Sequence, residues 1–413
     1  MEVIHYLERS RLFRILVHGP HSEFARVFAD RLLADQLSQQ CTMRSLRLFR
    51  DLMDWHVGYG NRAADLDEKQ VARFVEHRCQ HWHMDCWDNA TLRRVLSSLR
   101  GRGLIPMAPP VELTPRQRVL EAFSTYLARD RGLMPSTIGS QVLHVLRFLE
   151  EIDPAGSGDF ALLCPEIIIG YVERHALDGA PDSGKAMCWS LRSFLRYLHL
   201  RGDIAAPLAD CVPSIRRWRL AGLPTFLSPE KVQQVLDSCD RTTHLGLRDY
   251  AILMVLAKLG LRAGEVVALT LDDIDWRVGE MLVHGKGRRR AIMPLRKDVG
   301  SAIVDYLRNG RPTSTSRHLF LRVLAPHTGF ASGCAVTMIA KQALDRAGVH
   351  GYAHHGAHIF RHSLATDLLR SGASFDEIGQ LLRHERTDST RIYAKLDIEK
   401  LRTLSQPWPG DMQ

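Results

Sequence analysis

A chain of 413 residues with 45% hydrophobic and 24% charged side chains has the balance of an ordinary soluble protein, with room for two or three domains, each owning a core. Its formal charge of +9 favours a polyanionic partner, and the excess is uneven: +2 over 1–112, +1 over 113–224 and +6 over 225–413. The eight cysteines form no C-x-x-C pair and read as reduced thiols of a cytoplasmic protein. Glu2 and Glu8 interrupt the apolar start, so no signal-peptide pattern is present. The longest apolar run, AILMVLAKLGL, falls short of the ~20 residues of a membrane helix. It is broken by Lys258 and predicts a core helix.

From the N-terminus, the first half is internally duplicated. Phe28 and Thr42 match Phe123 and Thr137. Phe74-Val75-Glu76 matches Tyr171-Val172-Glu173. Leu92-Arg93, Leu96, Arg102-Gly103 and Ile105 match Leu191-Arg192, Leu195, Arg201-Gly202 and Ile204. Apolar spacings of three and four, as in VLHVLRFL and SLRSFLRYL, predict about four helices in each copy, the first over 22–106 and the second over 113–205. Pro106, Pro109 and Pro110 mark a stiff boundary between them. Within the first copy His77, Cys79, His81, His83 and Cys86 are dense enough for zinc, but their spacing is irregular and the duplicate keeps only His175, so a helix end plus loop is the better reading. After the second copy, Pro207, Pro213 and Pro224 frame a linker carrying Arg216, Arg217 and Arg219 around Trp218. By itself that cluster is equally a solvated loop.

The last part opens at Ser228-Pro229-Glu230, a serine cap with proline at the first helical position. Helices are predicted near 229–239, 246–260, 296–308, 333–347 and 375–383. EMLVHGKGRRRAIMPL alternates around Gly-Lys-Gly and predicts a hairpin with Lys286 at its tip, and HLFLRV predicts a short strand. Arg262 lies just past Gly260, and on its own would be read as an i,i+3 ion pair with Glu265. His358 and His362 stand at the i,i+4 spacing of zinc helices, yet no acidic partner follows and Arg361 between them opposes a cation, so no metal is expected.

From His358 the chain reads HIFRHSLATDLLRSGASFDEIGQLLRHERTDSTRIYAKL, which can handle a phosphodiester. His358 and Arg361 share a helix face, His384 follows, and Tyr393 stands nine positions beyond it. A phosphodiester is anionic, so breaking it without metal requires fixed cations at the non-bridging oxygens. Arg262 and Lys286 add to Arg361 there. Tyrosine, with a reference pKa of about 10, attacks well only beside cations or a base, and a mobile lysine can protonate the departing alkoxide.

The ordered set Arg262, Lys286, His358-x-x-Arg361, His384 and Tyr393, with Glu265, the Arg361-His362 dipeptide and LLRH as framing residues, resembles the tyrosine recombinase (phage integrase) family over about 225–405. The resemblance implies that Tyr393 forms a 3′-phosphotyrosine and that Arg262 and Arg361 clamp the scissile phosphate. It implies that Lys286 protonates the 5′ oxygen, with His358 and His384 assisting. One departure is Arg383, where the family usually has glycine, which clouds the local backbone geometry. Another is Arg288-Arg289-Arg290, which suits contact with DNA backbone.

On the same resemblance the fold class is mainly α, with two N-terminal SAM-like helical bundles before an α+β catalytic domain holding a small hairpin or sheet. The expected domains are 1–110, a bundle duplicating the core-binding type; 111–206, the core-binding bundle; 207–226, a linker whose arginines lie along phosphates; and 227–413, catalytic, with a C-terminal tail. The first bundle either extends the DNA footprint, the favoured use, or mediates protein contacts. The tail, with Ile398, Leu401 and Leu404 on one stripe, packs on a neighbouring protomer or caps its own chain. The expected function is site-specific recombination of double-stranded DNA, with no cofactor, no metal and no membrane, in the bacterial cytoplasm at the nucleoid. The implied assembly is a homo-tetramer at synapsis or a complex with related recombinases, as in elements carrying adjacent trios. A type IB-like topoisomerase and a non-catalytic accessory subunit are the alternatives.

Overall fold

The computed structural model describes residues 7, 9–81, 85, 87–108, 112–175, 183–215, 225–285, 287, 289–352 and 355–383. Two compact units are formed, one of Met1–Ala108 with Gly222–Gln413 and one of Pro109–Ala221.

The first bundle contains α1 (Arg11–His18), α2 (Ser22–Ala34), α3 (Gln39–Gly58), α4 (Glu68–His81) and α5 (Asp88–Gly101). The second contains α6 (Pro115–Arg129), α7 (Pro135–Ile152), α8 (Pro165–His175) and α9 (Ser183–Arg201). Each has its own apolar core: Phe28, Phe49, Leu92 and Leu96 are buried in one, and Phe123, Phe148, Leu191 and Leu195 in the other. The duplication read from the sequence is visible in local geometry. Thr91 and Ser190, both buried, donate their hydroxyls to the carbonyls of Trp87 and Ala186 four residues back. Both α5 and α9 are followed within two residues by a glycine with positive φ, 73° at Gly103 and 80° at Gly202. After each, the next amide reaches back five residues, Leu104 to Leu99 and Asp203 to Leu198, both at 3.0 Å. The segment expected to begin the linker is folded onto the second core. Leu208, Ala209 and Val212 are buried there, and Arg192 donates to the carbonyls of Val212 and Pro213, both at 3.0 Å.

The remaining region is built on α11 (His244–Leu259), which is buried without a break from Ala251 to Ala257, the core helix that AILMVLAKLGL predicts. Around it lie α10 (Pro229–Asp237), α13 (Lys297–Asn309), α14 (Gly333–Arg346) and α15 (Ala357–Arg370). The Ser228 hydroxyl caps α10 by accepting from the Lys231 amide at 3.4 Å. Two short helices, α12 (Ala263–Ala268) and α16 (Phe375–Leu381), complete the set.

The sheet is antiparallel in the order β1 (Ile274–Asp275), β2 (Glu280–His284), β3 (Arg290–Pro294). The predicted hairpin is β2–β3, with His284 opposite Arg290 and Met281 opposite Met293. The strand expected at HLFLRV is reduced to two isolated bridges, Thr270 with His318 and Leu321 with Gly329. Arg311 accounts for this, because its guanidinium takes the carbonyls of Ser316 at 2.7 Å, His318 at 2.9 Å and Leu319 at 3.3 Å. A side chain therefore satisfies acceptors that a ladder would otherwise have paired.

Candidate active site

The site begins where α11 stops. Gly260 caps the helix in the left-handed conformation, φ 61° and ψ 30°, and its amide donates to Leu256 at 3.1 Å. A β-carbon there would stand 2.7 Å from Leu382 Cδ2 and 3.0 Å from Leu364 Cδ2. Glycine is thus required both by φ and by the close approach of two other elements. The turn lets Arg262 precede α12 in extended conformation, with Glu265 one turn into that helix. The Glu265 carboxylate accepts the Arg262 amide at 3.0 Å and Arg262 Nη1 at 2.7 Å. The i,i+3 ion pair is real, but it is not a surface pair: Glu265 is 4% exposed and Arg262 36%.

Arg361 enters from α15 and is buried, with 3% of its surface exposed. Its Nη1 donates to the Gly260 carbonyl at 2.5 Å and its Nη2 donates to the carbonyl of Leu382. One guanidinium thereby ties the turn after α11 to the end of α16, which fixes its own plane. His358, one turn earlier on the same helix, is exposed. Its ring meets that of His362 edge to face, with centroids 5.2 Å apart. The shared face expected for His358 and Arg361 is therefore one helix with an outer imidazole and an inner guanidinium.

Arg383 closes the site from α16. It adopts φ 55°, unusual for a residue with a side chain, and is 13% exposed. Its Nη2 donates to Glu265 at 2.9 Å, and its Nη1 donates to the Leu381 carbonyl at 3.1 Å and touches Met293 Sδ of β3. Burial pulls the Arg383 guanidinium below its usual range, with Glu265 opposing that shift. Burial alone would raise the Glu265 carboxyl. The Arg262 amide and the Arg383 and Arg262 guanidiniums outweigh it and hold the group below the usual carboxylate range. Two arginines on one carboxylate, with Arg361 fixed at the turn that precedes Arg262, leave a local excess of positive charge, which is what a tetrahedral or pentavalent phosphate needs.

The hairpin beside this cluster has its turn closed by the Gly285 amide on the Arg289 carbonyl at 2.8 Å, with Arg289 and Arg290 exposed. At the base of the turn His284 Nε2 pairs with Asp273 at 2.7 Å. Asp273 is held below the ordinary range because His284 and Thr270 outweigh its burial. Lys286, Arg288, His384 and Tyr393, and the linker residues Arg216, Arg217 and Arg219, lie outside the described residues. Of the predicted site the structure thus brings Arg262 and Arg361 to one turn, with His358 on the same helix as Arg361. Sequence reasoning missed the role of Arg383 as the second partner of Glu265. The only signal was the replacement of glycine by a long cation.

In the first bundle, His77 and His81 stack with ring centroids 4.6 Å apart, and His81 Nδ1 donates to the His77 carbonyl at 2.8 Å. Cys79 is exposed, and His83 and Cys86 lie outside the described residues. Among the described residues one group has metal-compatible spacing, Asp345, His350 and His355. His355 Nε2 is engaged by the Val349 carbonyl at 3.0 Å.

Fold and site together put two arginines, Arg262 and Arg361, at one turn of a mainly helical region, a setting suited to an anionic phosphodiester. Residues 225–400 match the phage integrase family. Over 397 residues the chain is 36% identical to the putative integrase/recombinase y4rA of Sinorhizobium fredii, covering 96% of each chain. It is 31% identical over 290 residues to the tyrosine recombinase XerD of Listeria monocytogenes, covering 69% of this chain and 95% of that one. The XerH recombinase bound to palindromic difH substrate superposes with a TM-score of 0.52 at 17% identity, covering 87% of this chain and 94% of that one. A lambda integrase dimer on a COC′ core site gives 0.52 at 15% identity, covering 67% and 94%. The chain belongs to the phage integrase family, the tyrosine recombinases. It is an enzyme of site-specific DNA recombination, and the topoisomerase and accessory-subunit readings are not favoured.

Proposed function

We propose that the chain exchanges DNA strands through a covalent bond between Tyr393 and a 3′ phosphate. The phenolic oxygen attacks phosphorus, the bond to the 5′ oxygen breaks, and Lys286 gives that oxygen its proton. Arg262 and Arg361 hold the non-bridging oxygens, while His358 and His384 assist proton transfer and phosphate binding. The phosphotyrosine conserves the energy of the broken bond, so a second 5′ hydroxyl can attack it with no nucleotide required. The observation that carries this reading is the junction at Gly260. There two arginines 99 positions apart in sequence are fixed against the same turn, and the chain from Leu382 leads directly into His384 and on to Tyr393.

On this reading the apolar clusters sort into a first bundle over 1–110, a core-binding bundle over 111–206 against which Leu208, Ala209 and Val212 also pack, and a catalytic domain over 227–413 that holds two of them. Duplex DNA is the partner. Arg216, Arg217, Arg219, Arg288, Arg289 and Arg290 contribute contacts to its backbone that carry no base preference. Two successive exchanges pass through a four-way junction in a tetramer, homomeric or shared with related recombinases of the same mobile element, in the bacterial cytoplasm at the nucleoid. Among the described residues no helix is long and apolar enough to cross a membrane.

Two labelled duplexes carrying the element's end sequences test this. Incubation with the chain is expected to yield hybrid strands, and changing the core sequence of one duplex is expected to abolish them. Relaxation of any supercoiled plasmid without hybrids would instead mean resealing of the original strand.

A further inference from the structure

The pairing of Arg383 with Glu265 is not used by the chemistry above, yet it is built at some cost. Arg383 holds a positive φ that glycine would adopt without strain, and its guanidinium is nearly buried. Among the described residues its Nε has no hydrogen-bond partner. Such a group persists only where its surroundings over-determine it. Here the determinant is Glu265, whose two oxygens are divided. Oε1 takes Arg262 Nη1 at 2.7 Å, while Oε2 takes the Arg262 amide at 3.0 Å and Arg383 Nη2 at 2.9 Å.

That division matters for Arg262. An arginine beside a free carboxylate prefers the two-pronged arrangement, in which both oxygens are matched and the charge is largely neutralised. With Oε2 already held by both the Arg262 amide and Arg383, the side chain of Arg262 meets the carboxylate by a single prong through Nη1. The rest of its fork stays toward solvent, consistent with its 36% exposure beside a carboxylate that is only 4% exposed.

We infer that Arg383 is a positioning residue that acts through Glu265. By filling Oε2 beside the Arg262 amide it prevents Glu265 from gripping the Arg262 side chain with both oxygens, and so leaves that guanidinium less neutralised by its carboxylate and available to a DNA phosphate. This rests on the proposed role of Arg262 at the scissile phosphate. It concerns a position where this chain departs from the glycine usual at that point.

The test compares single-turnover formation of the covalent complex on a nicked duplex carrying the element's end sequence, with either an ordinary phosphate or a neutral methylphosphonate at the cleavage position. Arg383→Met is expected to slow the phosphate reaction on the order of ten- to a hundredfold, because part of the charge met by the transition state is withdrawn. The methylphosphonate reaction, which presents no anionic charge to Arg262, is expected to run at the wild-type rate. Arg383→Lys should recover part of the phosphate rate.

Equal slowing on both substrates would mean a purely structural role and would overturn the inference, as would Arg383→Met cleaving the phosphate duplex like wild type. If Arg383→Met does not fold, Arg383→Gly, which removes the backbone strain, is read in its place with the same expected pattern. Arg262→Ala separates the two levels. If it cleaves the phosphate duplex at the wild-type rate, the reading of Arg262 itself is wrong and the inference falls with it. If it is slow while the Arg383 variants are not, only the inference falls.

Discussion

The helical bundles of the first half and the region from 225 to 383 differ in how fully their most buried ion pairs leave solvent. In the bundles each ion pair among the described residues keeps at least one partly exposed partner: Arg100 grips Glu68 through both oxygens, at 2.5 and 2.7 Å, but Glu68 is 53% exposed, and the buried Asp35 and Asp88 meet Arg94 and Arg78, which are 22% and 20% exposed. In the region from 225, Arg361, Glu265 and most of Arg383 are taken out of solvent and joined to one turn. The first arrangement is what a scaffold requires. The second is costly to desolvate and gains its justification from the phosphate it can receive.

The largest effect that sharpens this contrast is expected for Glu265→Ala. Removing the carboxylate leaves Arg383 buried without a counter-charge, a loss of about 3–5 kcal/mol of stability. Chemical denaturation followed by hydrogen exchange in α11 and α12 would measure it, and a loss below about 1 kcal/mol would place the pair with the solvated ones. Next comes Arg262→Ala, which leaves the Glu265 and Arg383 pair intact. Covalent-complex formation is expected to fall by about 10²–10³, roughly 2.7–4 kcal/mol of barrier, while the thermal midpoint moves little.

A smaller effect follows from the lowered carboxyl of Glu265. A group whose folded pKa is depressed contributes stability that is fully present above its unfolded value, about 4.3, and lost as pH falls through the folded value. Stability should therefore show no Glu265 contribution to its slope between about pH 5 and 7, and an acid limb below about pH 4 that is flatter in Glu265→Gln. A mutant acid limb as steep as wild type would remove Glu265 from the account. Smallest of all, Glu68→Gln in the first bundle should change stability by less than about 1 kcal/mol, since solvent screens the pair. A loss as large as that of Glu265→Ala would erase the contrast.

Much of this was legible in the sequence because it depends on neighbours along the chain. The Ser228 cap, the β2–β3 hairpin and the apolar run of α11 follow from spacing and turn residues alone. The duplicated glycine caps at Gly103 and Gly202 were legible as a repeat, since φ > 0 selects for glycine wherever the motif recurs. What escaped is long-range. β1 exists only because Ile274 and Asp275 pair with Met281 and Glu280. The strand at HLFLRV is displaced by the Arg311 side chain, which no local pattern announces. Arg262 and Arg361 could be chosen as site residues from type and order, but their attachment to one turn through the Gly260 and Leu382 carbonyls is purely tertiary. The same holds for Arg383: its place where the resemblance leads one to expect glycine clouds the local backbone geometry, and only the fold shows the carboxylate it meets.

The central claim is that an aromatic hydroxyl becomes joined to DNA at a phosphate held by these arginines. Its most direct test is a nicked duplex carrying the element's end sequence, from which the released 5′ end diffuses away so that the covalent product accumulates. Wild-type chain is expected to give a detergent-resistant adduct whose DNA-bearing peptide maps to Tyr393, and Tyr393→Phe to give none. An adduct on any other residue, or one that forms unchanged in Tyr393→Phe, would contradict the account.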